Sequence, residues 1–428
     1  MTELIIPAEA PNLHELKERR IDIIARRAIF TLLDKLRHGR ITLVENGRHY
    51  QFGQHSETCS LQASITVYHT QLYTRIFFGG SIGAAEAYME GFWSADDLTT
   101  VMRILALNQR AFADMEKGLA RLTAPFYRFY HFVRKNTKAG SRKNILAHYD
   151  LGNDFYDLFL DETMTYSCGI FERADSTLKQ ASEAKYDRIC CKLQFAPGDR
   201  VVEIGTGWGG FALHAARNYG VHVTTTTISD EQHQYALNRI KTAGLENQIS
   251  LLKKDYRDLA GKFDKLVSIE MIEAVGHHYY DTFFDACSRL LKEDGMMALQ
   301  AITIGDQIFD RHKRSVDFIK RYIFPGSCIP SITAINKAIA RATDLQLVQL
   351  EDITPHYART LREWRRRFFA NIEEVQALGF SDTFIRMWEY YLCYCEGGFA
   401  ERYIGDVQMI FAKPLWRQES SLPDPELC

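Results

Sequence analysis

The sequence lacks the features that mark several common classes of protein. No stretch approaches the roughly 20 consecutive apolar residues of a membrane-spanning helix, and the first residues, MTELIIPAEA, lack the basic start and apolar centre of a secretory signal. Lys and Arg number 52 against 54 Asp and Glu, a net charge of -2, so bulk charge does not favour nucleic-acid binding. We therefore expect a cytoplasmic protein that does not bind nucleic acid.

Cysteine is also sparse. Nine cysteines in 428 residues are too few for a disulfide scaffold, and Cys393 and Cys395 have the wrong spacing for paired metal ligands. We expect reduced thiols and no metal site. The composition is otherwise that of a folded protein, with 46% hydrophobic and 25% charged residues, in a chain long enough for two or three domains.

The near-neutral charge hides an asymmetry along the chain. Residues 1–143 contain 20 Lys and Arg against 14 Asp and Glu, a net of +6, which leaves -8 for the remaining 285 residues. Residues 121–144, predicted as a linker, end in PFYRFYHFVRKNTKAGSRKN, an aromatic and basic stretch. Such a stretch suits contact with anionic lipid headgroups. It also suits a linker helix whose aromatic side chains pack on a neighbouring domain, and both interpretations remain open.

Residues 1–120 predict a small α+β module. A helix is expected from Asn12 to Arg37, followed by the strand-like runs ITLV, HYQFG, SITVYHT and LYTRIFFGG and a helical return up to Leu107. The module contains no glycine-rich loop and no cluster of acids and histidines, so we interpret it as a binding module. The apolar stripe of its first helix is predicted to consist of Leu16, Ile23, Ile24, Ala28, Leu32 and Leu36.

Residues 145–416 show a different pattern. Strand-like runs alternate with helical spans, which predicts an α/β fold with a doubly wound, mostly parallel sheet. Residues 417–428 are predicted to be a disordered tail. The strand-like runs are RVVEIG, VHVTTTTI, SLLKKD, KLVSIEMI, MMALQAITI, LQLVQLED and VQMIFAKP.

A glycine-rich loop follows the first of these runs, in EIGTGWGG at 203–210. Its spacing fits both the G-x-G-x-x-G loop of dinucleotide sites and the acidic-x-G-x-G-x-G loop of S-adenosylmethionine (SAM) methyltransferases. A dinucleotide site needs an acid near the end of the next strand, but that strand ends in TTTTIS. Glu203 instead precedes the loop, where a carboxylate could hold a cationic ligand. SAM is favoured over a dinucleotide, and a tight turn without ligand is the remaining interpretation.

Several motifs together resemble the cyclopropane fatty acid synthases. They are HYDLGNDFY (148–156), MTYSC (164–168), EIGTGWGG (203–210), TIS (227–229), EQ (231–232), YIFPG (322–326) and EGGF (396–399). The resemblance implies a class I SAM-methyltransferase fold with a seven-stranded sheet, preceded by a smaller N-terminal α+β lipid-binding domain. It also implies transfer of a methylene group from SAM to a cis double bond of a phospholipid acyl chain, by methyl transfer, a carbocation and bicarbonate-assisted deprotonation.

The resemblance further implies the site residues and partners. SAM and a bicarbonate ion are the expected cofactors, unsaturated phospholipid and an anionic membrane surface are the expected partners, and a homodimer is possible. We expect peripheral attachment at the inner face of the membrane. The implied catalytic residues are Cys168, Glu273, Gln300, Ile302, Tyr357 and, as a less secure candidate, Cys395. The implied SAM-binding residues are Tyr166, Ser167, Glu203, Gly205, Thr206, Gly207, Gly209, Thr227, Ile228, Ser229, Gln232, Tyr256 and Arg257.

Gln300 departs from the pattern of the bacterial branch, which has histidine at this position. A glutamine amide can donate a hydrogen bond but cannot carry a proton. A methyl- or methylene-branched acyl product is therefore an alternative to the ring. Two further hypotheses are a soluble small-molecule methyltransferase and a non-catalytic lipid-binding protein.

Overall fold

The computed structural model describes residues 19–109 and 151–417. The predicted linker and tail lie outside these ranges, apart from residue 417. The chain divides into two compact units, of which the first comprises the described parts of Met1–Tyr130 with Ser315–Ile319 and Gly379–Tyr403. The second comprises those of His131–Arg314, Lys320–Leu378 and Ile404–Cys428. The predicted domain boundaries near residues 120 and 145 stay predictions. The membership of residues 379–403 in the first unit was not anticipated.

The first unit is an α+β module with a four-stranded sheet in the order β2-β1-β3-β4. Strands β1 and β3 are parallel, and the other two pairs are antiparallel. The late helix α14 joins this unit, where Arg386 of α14 donates to the backbone oxygen of Trp93 at 2.8 Å. The elements of the unit are α1 (Arg20–Leu33), β1 (Gly39–Glu45), β2 (Arg48–Gln54), β3 (Gln62–Val67), α2 (Gln71–Met89), β4 (Trp93–Ala95), α3 (Leu98–Leu107) and α14 (Asp382–Ala400).

Two local predictions for this unit are wrong. The run LYTRIFFGG is part of helix α2, not a strand, because its aromatic and β-branched residues pack in a helical phase that tertiary contacts favour over strand propensity. Helix α1 is rotated from the predicted stripe: Ala25 and Ile29 are buried, whereas Ile24 is 60% exposed. Of the predicted residues, Leu36 is buried, and Leu16 lies outside the described residues. The observed phase buries the apolar Ala25 and Ile29 and also allows Arg26 to pair with the buried Glu45 at 2.8 Å.

The second unit contains the predicted seven-stranded sheet, in the order β10-β11-β9-β8-β5-β6-β7. Strands β5 to β9 pair in parallel, and β11 runs antiparallel to both β9 and β10. The strands are β5 (Arg200–Ile204), β6 (His222–Thr227), β7 (Ile249–Lys253), β8 (Phe263–Ile269), β9 (Leu291–Ile304), β10 (Gln346–Asp352) and β11 (Ile404–Ala412). The fold class predicted from the sequence is therefore confirmed.

Helices cover both faces of this sheet. Consecutive strand residues alternate between faces, so Val201 and Val202 of β5 enter two different hydrophobic cores. The larger core includes Phe283 and Phe284 of α9, and the other includes Phe211 of α6. The helices are α4 (Asn153–Asp157), α5 (Leu178–Lys192), α6 (Gly210–Tyr219), α7 (Asp230–Thr242), α8 (Ile272–Val275), α9 (Tyr280–Leu290), α10 (Asp306–His312), α11 (Ile332–Ala342), α12 (Thr354–Ala370) and α13 (Ile372–Ala377).

Because β5, β6 and β8 are parallel, their carboxyl ends meet at one edge of the sheet, the usual place for ligand binding in open α/β folds. The glycine-rich loop, the TIS motif and the SIEMIEAVG segment all follow these strand ends. Within the described ranges, no helix combines the length and apolar character needed to cross a bilayer.

Candidate active site

The cofactor loop, Gly205–Gly210, connects β5 to α6. Gly205, Gly207 and Gly209 have φ values of +104°, +53° and +87°, a region that favours glycine. A Cβ atom added at Gly207 would meet no atom within 4 Å, whereas one at Gly210 would lie 2.5 Å from the Tyr186 hydroxyl oxygen. Gly207 therefore leaves open space for a ligand to approach the backbone, while Gly210 permits close packing inside the protein.

Glu203 lies at the buried end of β5. The Thr225 hydroxyl donates to Oε2 of Glu203 at 2.6 Å, and the Thr206 hydroxyl lies 2.6 Å from that of Thr225. Burial raises the pKa of Glu203 to about 8. The carboxyl group thus forms a fixed polar contact between two neighbouring strands beneath the cofactor loop.

The end of β6 forms a second part of the predicted SAM site. Thr227 donates to Oε1 of Gln232 at 3.0 Å, and the Ser229 hydroxyl caps α7 by accepting from the Gln232 backbone N–H at 3.3 Å. Ile228, between them, is partly exposed. These hydrogen bonds fix the geometry of the TIS motif.

Tyr256 and Arg257 follow β7. The Arg257 guanidinium donates two hydrogen bonds to Asp255, at 2.7 Å and 2.6 Å, and lies 5.4 Å from the centre of the Tyr256 ring. Tyr256 also packs edge-on against Phe283, with ring centres 5.4 Å apart. The two residues therefore form a rigid, partly aromatic surface at this edge of the sheet.

Tyr166 and Ser167 precede Cys168. The ring centre of Tyr166 lies 5.4 Å from that of Tyr156 and 5.1 Å from that of Trp364. Ser167 accepts a hydrogen bond of 2.6 Å from Nζ of Lys185, a fully buried lysine whose pKa is lowered by burial to about 8. Sequence reasoning missed Lys185.

A partly exposed acid, Glu270, accepts hydrogen bonds from three of the predicted catalytic residues. Its Oε1 accepts from the Cys168 backbone N–H and from Nε2 of Gln300, both at 2.8 Å, and its Oε2 accepts from the Tyr357 hydroxyl at 2.5 Å. The residue directly follows β8 and has a φ of +47°, which is uncommon for a residue with a side chain. Glu270 thus joins three predicted residues that are far apart in sequence.

Glu273, on α8, contacts a further predicted catalytic residue, Ile302. Its Oε1 accepts from the Ile302 backbone N–H at 2.5 Å, and its Oε2 has no hydrogen-bond partner among the described residues. Burial, followed by the negative charge of Glu270, raises the pKa of Glu273 to about 8. At neutral pH this buried carboxyl group is mainly protonated.

Strand β11 adds two further polar residues. Asp406 lies opposite Ile302 in the β9–β11 register, and Gln408 lies opposite Gln300 and donates to its Oε1 at 3.0 Å. Burial, followed by the charges of Glu270 and Glu273, raises the pKa of Asp406 well above its usual range. We call Glu270, Glu273 and Asp406 the carboxylate cluster.

Sequence reasoning identified only Glu273 of the carboxylate cluster. The signal for Glu270 was its spacing, since two acids lie three residues apart in EMIE. The signal for Asp406 was an acid inside the otherwise apolar strand IGDVQMIFA.

The two cysteines among the predicted catalytic residues are both in environments that disfavour a thiolate. Burial raises the pKa of the Cys168 thiol well above its usual range, so the contribution of Cys168 to the site is its backbone N–H. Cys395 belongs to the first unit, on α14, whereas the other five predicted catalytic residues belong to the second. Burial also raises the pKa of the Cys395 thiol, which opposes formation of a reactive thiolate.

The site does not fit the predicted bicarbonate ion. Bicarbonate would require the donors that the resemblance assigns to it, but Cys168, Gln300 and Tyr357 already donate to Glu270. The Ile302 N–H donates to Glu273. Residues 19–109 and 151–417 also contain no group of three or more His, Cys, Asp or Glu that could hold a metal ion.

Comparisons with known proteins show the family of the chain. Residues 136–409 match the family described as mycolic acid cyclopropane synthetase. The chain is 38% identical over 340 residues to the tuberculostearic acid methyltransferase UfaA1 of Mycobacterium tuberculosis, covering 78% of this chain and 79% of that protein. It is also 38% identical over 360 residues to the cyclopropane-fatty-acyl-phospholipid synthase of Escherichia coli K12, covering 83% and 89%.

Among solved structures, the chain is similar to the mycolic acid cyclopropane synthase CmaA1 in complex with SAH and CTAB. The TM-score is 0.59 at 34% identity, covering 64% of this chain and 98% of that one. SAH is the product that remains when SAM gives up its methyl group, so that relative binds the product of the methyl donor predicted for this chain. The chain therefore belongs to the mycolic acid cyclopropane synthetase family and is a SAM-dependent methyltransferase.

Proposed function

We propose that the protein transfers a methylene group from SAM to the cis double bond of unsaturated acyl chains in membrane phospholipids and forms a cyclopropane ring. The observation that carries this proposal is the position of the cofactor loop and the carboxylate cluster at the carboxyl ends of neighbouring strands. One region suits a methyl donor, and the other contains groups that can hold or accept a proton.

For this reaction the protein mainly has to position the alkene and the methyl donor, because SAM itself is already reactive. An alkene is a weak nucleophile, so the sulfonium of SAM provides the driving force, and the protein must align the alkene carbon with the methyl group. The carbocation that forms must be shielded from water and is stabilised by aromatic faces. The packed rings of Tyr156, Tyr166 and Trp364 support such a surface. A base must then remove a proton from the new methyl group.

The first unit is proposed to contact an anionic membrane surface at the inner face of the membrane. Helix α1 exposes Ile21 and Ile24 together with Arg20 and Arg27. Apolar side chains beside cations are suited to the lipid interface. The net charge of +6 in residues 1–143 supports the same proposal.

A second candidate function is fatty-acyl C-methylation that leaves a methyl or methylene branch. Gln300 favours it, because an amide cannot carry a proton as histidine can. The relative named as a methyltransferase is as similar to this chain as the one named as a synthase, at 38% identity each. Both functions begin with the same methyl transfer.

The test is lipid mass spectrometry with purified protein, SAM and vesicles of mono-unsaturated phospholipid, prepared with and without anionic lipid. We expect SAM-dependent addition of one methylene mass, faster on anionic vesicles, and proton NMR of the product then separates a ring from a branch. Calorimetry of SAM binding is the control. A protein that binds SAM but modifies no unsaturated lipid would contradict the proposal, and one without affinity for SAM would favour a non-catalytic lipid-binding role.

A further inference from the structure

Three donors from separate parts of the second unit converge on one carboxylate. The Cys168 N–H comes from a loop, the Gln300 amide from β9 and the Tyr357 hydroxyl from α12, and all lie within 2.5–2.8 Å of Glu270 oxygens. A bound oxyanion such as bicarbonate would need this type of donor set. The chain supplies an oxyanion of its own at this place.

We propose that the Glu270 carboxylate is the base that removes the proton from the newly transferred methyl group, in place of a bicarbonate ion. The proposal rests on the proposed function. It makes Glu270 a catalytic residue, with Gln300 and Tyr357 as positioning residues that orient its carboxylate.

The other two acids of the carboxylate cluster are less suitable for this role. Glu273 and Asp406 are 8% and 0% exposed, whereas Glu270 is partly exposed. Burial raises the pKa of Glu273 to about 8 and that of Asp406 above its usual range, which favours the protonated form of both acids and makes them less suitable as bases. Glu270 is the member of the cluster with access to a ligand.

Its backbone supports a functional role. A φ of +47° at Glu270 is an unfavourable conformation for a residue with a Cβ atom. Such conformations persist where the surrounding structure imposes them, and they cluster at active sites. Here the strained backbone directs the carboxylate toward three donors, and the same negative charge would stabilise the neighbouring sulfonium and carbocation.

The step is balanced without an added co-reactant. The alkene electron pair forms a bond to the SAM methyl carbon, and the carbon–sulfur bond breaks with its pair passing to sulfur. The other alkene carbon becomes cationic. Glu270 takes a proton from the new methyl group, and the released C–H electron pair closes the ring on the cationic carbon. The carboxylic acid then returns its proton to water.

The decisive experiment compares two variants of the full chain with the wild-type protein in buffer freed of carbon dioxide. The wild-type turnover should change less than twofold when bicarbonate is added. Glu270→Ala and Glu270→Gln should each lower turnover at least about 100-fold. Bicarbonate or formate should restore part of the activity of Glu270→Ala, which leaves a space, but not that of Glu270→Gln, whose amide fills it.

A binding measurement gives a readout that does not depend on activity. NMR with isotopically labelled bicarbonate should show binding to Glu270→Ala but not to the wild-type protein, while SAM affinity by calorimetry and the thermal unfolding temperature stay near wild type in both variants. The exposed Glu172→Ala is the matched control. An active wild-type protein that requires bicarbonate, or a Glu270→Ala variant as active as wild type without it, would overturn this role. A wild-type protein that binds SAM but modifies no lipid would overturn both proposals.

Discussion

The cofactor loop and the carboxylate cluster lie at the same edge of one sheet but are built by different physical means. The loop is a single contiguous segment that prepares its ligand site with backbone conformation, through three glycines of positive φ. The three acids of the cluster come from the segment after β8 and from β11, and their hydrogen-bond donors come from the Cys168 loop, β9 and α12, so the cluster depends on hydrogen bonds and buried charge. The cofactor loop leaves space for a ligand, and the carboxylate cluster sets the charge and protonation of its acids.

This difference has an energetic consequence. Glycine adopts left-handed backbone conformations without a steric penalty, so the conformation of the loop lowers the free energy of unfolding only slightly. Burying acids is costly unless they are paired or protonated, and the raised pKa values of Glu273 and Asp406 express that cost. We therefore expect substitution of the two buried acids, Glu273 and Asp406, to affect stability, substitution of Glu270 to affect chemistry, and substitutions in the loop to affect SAM affinity.

The largest expected effect is a change in the free energy of unfolding caused by the buried Glu273 of the carboxylate cluster. The folded-state pKa of Glu273 is about 8, above its ordinary value of 4.5. As pH rises between these two values, the unfolded chain loses the proton while the folded chain retains it, so wild-type stability falls. Glu273→Gln mimics the protonated acid and cannot ionise. The variant should match wild type at acidic pH and be about 2–4 kcal/mol more stable near pH 8, since one pKa unit corresponds to about 1.4 kcal/mol.

Chemical denaturation at a series of pH values measures this difference. The control is Glu172→Gln, which makes the same chemical change at an exposed acid. If the curves for Glu273→Gln and wild type ran parallel from acidic to mildly alkaline pH, the electrostatic cost assigned to the cluster would be wrong.

A smaller effect is expected from Tyr357→Phe. The variant removes the hydrogen bond of 2.5 Å to Oε2 of Glu270, and bonds to charged groups contribute about 1.5–3 kcal/mol. We expect kcat to fall about 10- to 100-fold, with SAM affinity and the lipid KM nearly unchanged, because the hydroxyl positions Glu270 and does not hold the cofactor.

The matched control for this substitution is Tyr219→Phe. It removes a similar phenol-to-carboxylate bond, to Asp187 at 2.9 Å, away from the carboxylate cluster. Its kcat should stay near wild type. A loss of SAM affinity in Tyr357→Phe, or an equal loss of kcat in both variants, would remove the distinction between the two regions.

The same contrast explains how much could be predicted from the sequence. The loop, its strand and its helix are adjacent in EIGTGWGG, so spacing alone predicts their arrangement. Seven alternating strand-like runs likewise predict the sheet. Glu270 acquires its role only when β8, β9 and α12 bring Gln300 and Tyr357 to it, and Asp406 only through the β9–β11 register. Pairing between distant strands is not encoded in local periodicity.

Errors in the first unit have a related cause. Helix α1 carries apolar residues on more than one side, so the spacing fits two helical phases, and contacts with the rest of the unit, among them the pairing of Arg26 with Glu45, select one of them. The segment LYTRIFFGG has high strand propensity but belongs to α2. In both cases the deciding contacts come from residues distant in sequence.

The smallest expected effect separates the ligand role of the loop from its backbone strain. Gly207 and Gly244 have similar φ values, +53° and +66°, and a Cβ atom added at either meets no protein atom within 4 Å. Alanine at each should therefore cost about 1 kcal/mol of stability from the left-handed backbone. Only at Gly207 would the methyl group enter the space assigned to SAM, so calorimetry should show about 10-fold weaker SAM binding, or about 1.4 kcal/mol, for Gly207→Ala and unchanged binding for Gly244→Ala. Equal SAM affinity in the two variants would place the cofactor elsewhere, because the strain is the same in both and only the position of the methyl group differs.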